Sequence, residues 1–283
     1  MKNRPMTRVN LDKAISRLAK NDPRLTVDIR MSMANAIVGQ FLPEGVVKGG
    51  TSLKFRFGSD RARYTMDLDT AWKTDLDTFL VEFKRNLAQG WEGFSGEVLV
   101  LPQASPSAIP FDYVMQPCDI KLSYMNRSWC TIRLEVGHNE IGDADEADMM
   151  PVPEDLAAHF RELCFPVPKS LPLMKLSFQI AQKLHGSTGD RSRRAHDLID
   201  LQLIVNAGNL DYKEVRDACE RLFRYRKCQP WPPTVASAEG WDIIYETQKL
   251  NLPVLETVDE AVVWANELIA RIENAGKQKT CLN

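Results

Sequence analysis

Apolar positions recur at helical spacing near both ends of this chain and alternate through its middle. Leu11, Ala14, Ile15 and Leu18 mark one face of a helix from Val9 to about Lys20. A second helical stretch, Val27 to Phe41, stops before Pro43-Glu44-Gly45. Val46-Val47 predicts a short buried strand running into Gly49-Gly50. Leu53, Phe55 and Phe57 then alternate, so periodicity leaves open whether a helix follows Thr51. Tyr64 to Asp69 and Cys130 to Val136 alternate polar with apolar and are strand candidates. Past Pro172 the period is helical almost throughout, broken at Gln229-Pro230-Trp231-Pro232-Pro233. Leu173, Leu176, Ile180 and Leu184 form the apolar stripe of a helix from Leu173 to His185, and Leu198 and Leu201 turn the next helix to a core.

This patterning divides the chain. Between Glu140 and Asp155 lie seven acids and no Lys or Arg, followed by a proline-spotted stretch to Pro172. The expectation is an exposed connection between an α+β first half, residues 1–150, and a helical second half, residues 151–283.

Composition narrows the function. With 283 residues, 44% of them hydrophobic, the chain can bury a sizeable core. Thirty-six Lys+Arg against thirty-eight Asp+Glu give a net charge of −2, so a polyanionic partner must be met by a local patch. The first twenty residues carry basic side chains and no apolar segment of the signal-peptide kind, and no run approaches the roughly 18 apolar residues that span a bilayer. Cys118, Cys130, Cys164, Cys219, Cys228 and Cys281 include no Cys-x-x-Cys pair, which predicts reduced thiols in a cytoplasmic protein and no structural zinc.

The sharpest candidate chemistry is Asp67-Leu68-Asp69. On a strand Asp67 and Asp69 project together while Met66 and Leu68 turn to the core, and a divalent cation relieves the repulsion between the two carboxylates. Two solvated acids on an exposed sheet face would give the same pattern. Val47-Lys48-Gly49-Gly50-Thr51-Ser52 is a strand breaking at a Gly pair, which frees backbone N–H groups for an anion or makes a plain tight turn. Alternation puts Thr131, Arg133 and Glu135 on one strand face, so Glu135 is either a third metal carboxylate or a cross-strand ion-pair partner. Lys183, at the edge of its helical stripe, can serve a phosphate or snorkel to water. Asp197 and Asp200 share a helix face, with Arg193 and Arg194 close enough for surface ion pairs. Arg221-Leu222-Phe223-Arg224-Tyr225-Arg226-Lys227 interleaves four cations with two aromatics, which suits RNA or a solvated helix face whose apolar residues are core.

In order, Lys48-Gly49-Gly50-Thr51-Ser52-Leu53, Arg63-Tyr64-Thr65-Met66-Asp67-Leu68-Asp69, Gln182-Lys183-Leu184-His185 and His196-Asp197-Leu198-Ile199-Asp200-Leu201 resemble the AbiEii/AbiGii family. These are nucleotidyltransferase-type toxins of abortive-infection (phage-defence) and toxin–antitoxin systems, the MenT enzymes among them. The likeness covers about residues 40 to 205. It implies a polymerase-β-type core with a helical C-terminal part. The implied chemistry is transfer of a nucleoside monophosphate from an NTP, with Mg²⁺ on Asp67 and Asp69 and a second ion helped by Glu135. The nucleotide would be held by Gly49, Gly50, Thr51, Arg63, Thr65 and Lys183. Asp197 would orient Lys183 or assist as base, and Asp200 would be a structural partner. Gln182 and His196 depart from the family pattern, which has an acid and an arginine there. MenT-like relatives imply the tRNA 3′ end as acceptor, bound in part by Arg221, Arg224, Arg226 and Lys227, and a cognate antitoxin as partner. A small-molecule enzyme of the lincosamide or aminoglycoside type shares the Gly-Ser and Asp-x-Asp logic, and a non-catalytic interaction protein on the same fold is the other alternative.

Overall fold

The computed structural model describes residues 3–73, 75–103 and 114–275. The chain divides into two compact units, Met1–Ser59 with Tyr64–Met174, and Asp60–Arg63 with Lys175–Asn283.

All strands of the described residues belong to the first unit. They are β1 (Gly45–Lys48), β2 (Leu68–Trp72), β3 (Phe94–Val100), β4 (Gln116–Tyr124), β5 (Arg127–Gly137), β6 (Ala147–Met150) and β7 (Leu171–Met174). They make one mixed sheet in the order β3-β4-β5-β2-β1-β7-β6, in which β2–β5 and β1–β7 are parallel. Among the described residues five α-helices accompany it: α1 (Arg8–Leu18), α2 (Pro23–Gly39), α3 (Gly49–Phe57), α4 (Leu76–Gln89) and α5 (Glu154–Glu162). Their starts follow side-chain chemistry. Thr7 accepts the Asn10 N–H at 3.2 Å to cap α1, and Asp22 accepts the Leu25 N–H at 2.9 Å to cap α2, whose first turn holds Pro23.

Register decides what each sheet face carries. Leu11 and Ile15 of α1 and Met33 and Ile37 of α2 cluster with Leu68, Ile120, Leu122, Leu134 and Val136 in one buried core. Leu68 pairs with Leu134, so the neighbouring rung, Lys48–Asp69–Glu135, lies on the opposite face. Cys118 lies in the core, and burial pushes its thiol up to about 11. Cys281 lies outside the described residues.

Three expectations need correction. The alternation from Tyr64 to Asp69 is a strand only from Leu68, and Met66 is 44% exposed instead of turned to the core. The acidic stretch after Glu140 is no plain connection. Its residues Ala147–Met150 form β6, paired antiparallel with β7, and Asp143 is buried. The segment that holds β6, α5 and β7 is compact with the first unit, which reaches Met174. Leu173, expected on a helix, is a buried strand residue paired with Val47. Local period cannot tell a short buried strand from the apolar start of a helix.

Among the described residues the second unit is helical: α6 (Leu176–Ser187), α7 (Ala195–Asn206), α8 (Tyr212–Arg226), α9 (Trp241–Lys249) and α10 (Val258–Ala275). Gln202 ties it together. Its side-chain N–H₂ donates to the Tyr245 hydroxyl at 3.0 Å, and its carbonyl accepts the Leu255 N–H at 2.7 Å. Between α8 and α9 the prolines leave the chain without helix or strand, as the sequence predicts.

Candidate active site

β1 ends at Lys48, and the chain turns at Gly49, whose φ of +68° lies in the left-handed region that favours glycine. A Cβ there would also collide with the Asp69 carboxylate. The N-terminus of α3 therefore sits directly against Asp69, and the side chain of its N-cap residue, Lys48, makes no capping hydrogen bond. That settles the segment after Thr51 as helix: its apolar residues alternate, but Leu53 and Phe55 are both buried around α3.

Two side chains hold the irregular backbone that leads into β2. The Thr51 hydroxyl donates to the Asp67 carbonyl at 2.6 Å, and Asn35 Nδ2 donates to the Met66 carbonyl at 3.2 Å. Thr51 is only 2% exposed. In this structure its hydroxyl positions Asp67, a role the sequence did not suggest; nor did it single out Asn35. Asp67 is exposed, Asp69 and Thr65 are half-buried, and Gly50 is buried in the first turn of α3.

Glu135 lies beside Asp69 on the parallel neighbour β5. Burial, then the negative charges of Asp69 and Asp67, push its carboxyl above the ordinary range, against smaller opposing effects of Arg133 and Lys48. Glu135 thus feels two other carboxylates, at the central strands β5 and β2 of the sheet. Among the described residues no group of three His, Cys, Asp or Glu is arranged as a ready-made metal cage. The donors that could meet a hard cation are the Asp67 and Asp69 oxygens, with Glu135 alongside.

In the second unit, Lys183 is not half-embedded at a helix edge, as its sequence position suggested. It is 4% exposed, and its Nζ donates to Asp197 Oδ1 at 3.0 Å and to Asp200 Oδ2 at 2.6 Å. Arg63 Nε donates to both Asp200 oxygens at 3.0 and 3.1 Å, and Arg194 Nε donates to Asp197 Oδ2 at 2.5 Å. Gly186, one turn after Lys183, makes room for Arg194: a Cβ there would stand 2.6 Å from its Nε. The result is a chain of charge, Arg63–Asp200–Lys183–Asp197–Arg194, whose three central members are buried and whose outer arginine Arg194 is exposed. Burial opposes ionisation of Asp197, but Lys183, Arg194 and His196 outweigh it and hold the carboxyl far below its ordinary value. His196 itself is lowered to about 4, first by burial, so a neutral ring stands where the family pattern has a cation.

The basic–aromatic segment lies at the end of α8. Leu222 and Phe223 are buried, whereas Arg221, Arg224, Tyr225 and Lys227 are exposed. Arg221 stacks over Phe178 at 5.5 Å, and Arg226 Nη1 lies 3.3 Å from His185 Nδ1. The cations thus surround an apolar anchor formed by Leu222 and Phe223.

A model of the nucleotidyl transferase AbiEii toxin family, of type IV toxin–antitoxin systems, matches residues 33–267. The chain belongs to the AbiEii nucleotidyltransferase toxin family. Among solved structures, this AbiEii chain is similar to MenT4, a nucleotidyltransferase toxin from Mycobacterium tuberculosis. The identity is 17%, over 93% of this chain and 97% of that one, with a TM-score of 0.50. JHP933 from Helicobacter pylori is similar at 16% identity over 89% and 94% of the two chains, with a TM-score of 0.43. No curated protein matches. Membership carries the implied nucleotidyltransferase activity and an antitoxin partner, while the MenT4 likeness speaks for the fold alone. Among the described residues no helix is long and apolar enough to cross a membrane.

Proposed function

We propose that this AbiEii chain transfers a nucleoside monophosphate from an NTP to an RNA acceptor, the tRNA 3′ end. The observation that carries the nucleotide chemistry is the Asp69 carboxylate set against the first turn of α3, with Glu135 paired beside it on β5 and Asp67 two residues before it. Such a turn offers N–H groups to phosphate oxygens, and the carboxylates offer hard oxygen donors. The donor set fits Mg²⁺, which is commonly bound through one or two carboxylates with substrate phosphates and water filling the other positions. Bound there, a divalent cation would neutralise triphosphate charge and favour ionisation of the attacking hydroxyl.

The side chains divide the remaining work. Thr51 and Asn35 fix the backbone around Asp67, so the carboxylate keeps its place as charge builds on the phosphorus. Gly49 and Gly50 let a phosphate approach the first turn of α3. Burial and then the charges of Asp69 and Asp67 raise the Glu135 carboxyl, an effect that a bound cation would oppose. In the second unit Asp197 is held too strongly ionised for a general base and orients Lys183 instead. Asp200 performs the same service for Lys183 and Arg63 together. The exposed rim of Arg221, Arg224 and Lys227, with Arg226 behind, supplies the RNA contact that a chain of net charge −2 otherwise lacks.

The deciding experiment incubates the protein with total tRNA, Mg²⁺ and each labelled NTP in turn. Label in tRNA, lost in Asp69→Asn, is the expected result. Label in a small hydroxyl compound with none in RNA would overturn the acceptor, and no incorporation from any NTP would overturn the transfer itself.

A further inference from the structure

The proline-rich break Gln229-Pro230-Trp231-Pro232-Pro233 does more than interrupt the helices of the second unit. Glu220, Phe223 and Arg224 of α8 and Gln229, Pro230 and Trp231 of the break together line a cavity of about 330 Å³. Its walls are fixed from behind. Trp231 Nε1 donates to Glu273 Oε2 of α10 at 3.0 Å, and its ring meets Phe223 edge-on, the centroids 5.3 Å apart. Gln229 Nε2 donates to the His185 carbonyl of α6 at 2.9 Å and to the Thr188 hydroxyl. Phe223 is only 2% exposed whereas Trp231 is half-buried, so the accessible aromatic surface is the indole's. Glu220, the acid of the lining, is engaged by Arg216 at 2.9 Å. Arg224, one helical turn further on, is exposed and forms no ion pair among the described residues. The cavity thus offers a held indole and an uncompensated guanidinium.

We propose that this cavity is a base-holding site: it takes one unstacked base of a single-stranded RNA segment on the Trp231 indole, with Arg224 on the adjoining phosphate. This rests on the RNA-acceptor reading above and adds to it Gln229, Pro230 and Trp231, none of which carries charge. The volume falls at the small end of the roughly 300–1,000 Å³ that ligand sites occupy, which suits one ring system. A duplex could fill it only by unstacking and unpairing a base at a cost, so the site favours single strands. Every base has a π-face, so it favours them with little regard to sequence. Arg221 and Lys227 are exposed on the same stretch of chain. A polymer with phosphates on both sides of the held base uses those cations, whereas a free aromatic molecule leaves them idle.

The test is fluorescence anisotropy of a short labelled single-stranded RNA against an abasic chain of equal length and charge. Wild type should bind the base-bearing strand about tenfold tighter, roughly the worth of one stacked base. Trp231→Leu should erase that preference and leave the affinity for the abasic chain unchanged. Arg224→Gln should weaken both strands alike and lower the salt slope by about 0.7. Because Trp231 also ties the break to α10, a readout without substitution stands beside these. Wild type irradiated with the same RNA carrying 4-thiouridine should crosslink at Trp231 or elsewhere in the cavity lining, mapped by mass spectrometry. Equal wild-type affinity for the two strands, a preference that survives in folded Trp231→Leu, or crosslinks lying wholly outside the lining would each overturn the base site and leave the RNA acceptor standing. Free uridine that displaces the strand at equal concentration would assign the cavity to a small aromatic ligand and overturn it too. A wild-type protein that binds neither strand would remove the RNA-acceptor reading itself.

Discussion

Gly49 shows how far one residue can matter here. Its positive φ and its closeness to Asp69 are separate constraints, and any side chain violates both. Gly49→Ala should destabilise the first unit by about 1–3 kcal/mol, from backbone strain alone, and displace the Asp69 carboxylate. Urea unfolding checks the first effect and nucleotide incorporation the second. Asp69→Asn is the complementary change, keeping shape and removing charge. Transfer should fall by roughly a hundredfold or more if this carboxylate holds the cation. The carboxyl of Glu135 should at the same time titrate lower, since a repelling neighbour has gone. Carbon-detected NMR titration of Glu135 reads this without any reaction, and an unmoved Glu135 would refute the coupling.

Between elements, the strongest statement concerns α6 and α7. Their buried faces meet through Lys183, Asp197 and Asp200, so Lys183→Ala strands two carboxylates with only Arg63 and Arg194 to compensate. The expected cost is about 3–5 kcal/mol, the usual result of breaking a buried ion pair from one side. Denaturant melts measure it, and an unchanged midpoint would show that Lys183 is dispensable to the fold. The same unit should weaken in mild acid. Burial, followed by Arg226 and Arg194, lowers His185 to about 4, and His196 is also lowered to about 4 from an ordinary value of 6.5. Between those values the unfolded chain takes up protons that the folded one refuses, so stability falls as pH drops from 6.5 toward 4 and levels off below. Replacing both with Gln should flatten that part of a pH–stability curve. Element by element, the sequence was a good guide where one face alone was apolar, as in α1 and β5. It failed at Tyr64–Asp67, at Ala147–Met150 and at Leu171–Met174. There short segments owe their conformation to partners remote in the chain.

On the scale of the whole molecule, a net charge of −2 leaves RNA binding to a local surface. If Arg221, Arg224, Arg226 and Lys227 each neutralise a phosphate, they contribute about −3 to the slope of log affinity against log salt, at ~0.7 per contact. Reversing all four charges should flatten the salt dependence of tRNA anisotropy, and identical slopes would remove this rim from the RNA surface. Sequence alone determined a good deal at this scale. The ordered Gly-Gly-Thr, Asp-x-Asp, lysine and Asp-x-x-Asp segments marked the family, because each residue type is set by local chemistry that survives in a one-dimensional record. Charge, length and hydrophobic period likewise gave an α+β part followed by helices. The tertiary structure alone decided which charges are spent and which remain. Lys183 and Lys48 look alike in sequence, each a lysine beside apolar residues. One is clamped between Asp197 and Asp200, whereas the other lies over Gly137, where its charge acts on Glu135 and Asp143. A side chain's charge is written in its own letter, but its neutralisation depends on distance and burial, which only the folded chain sets.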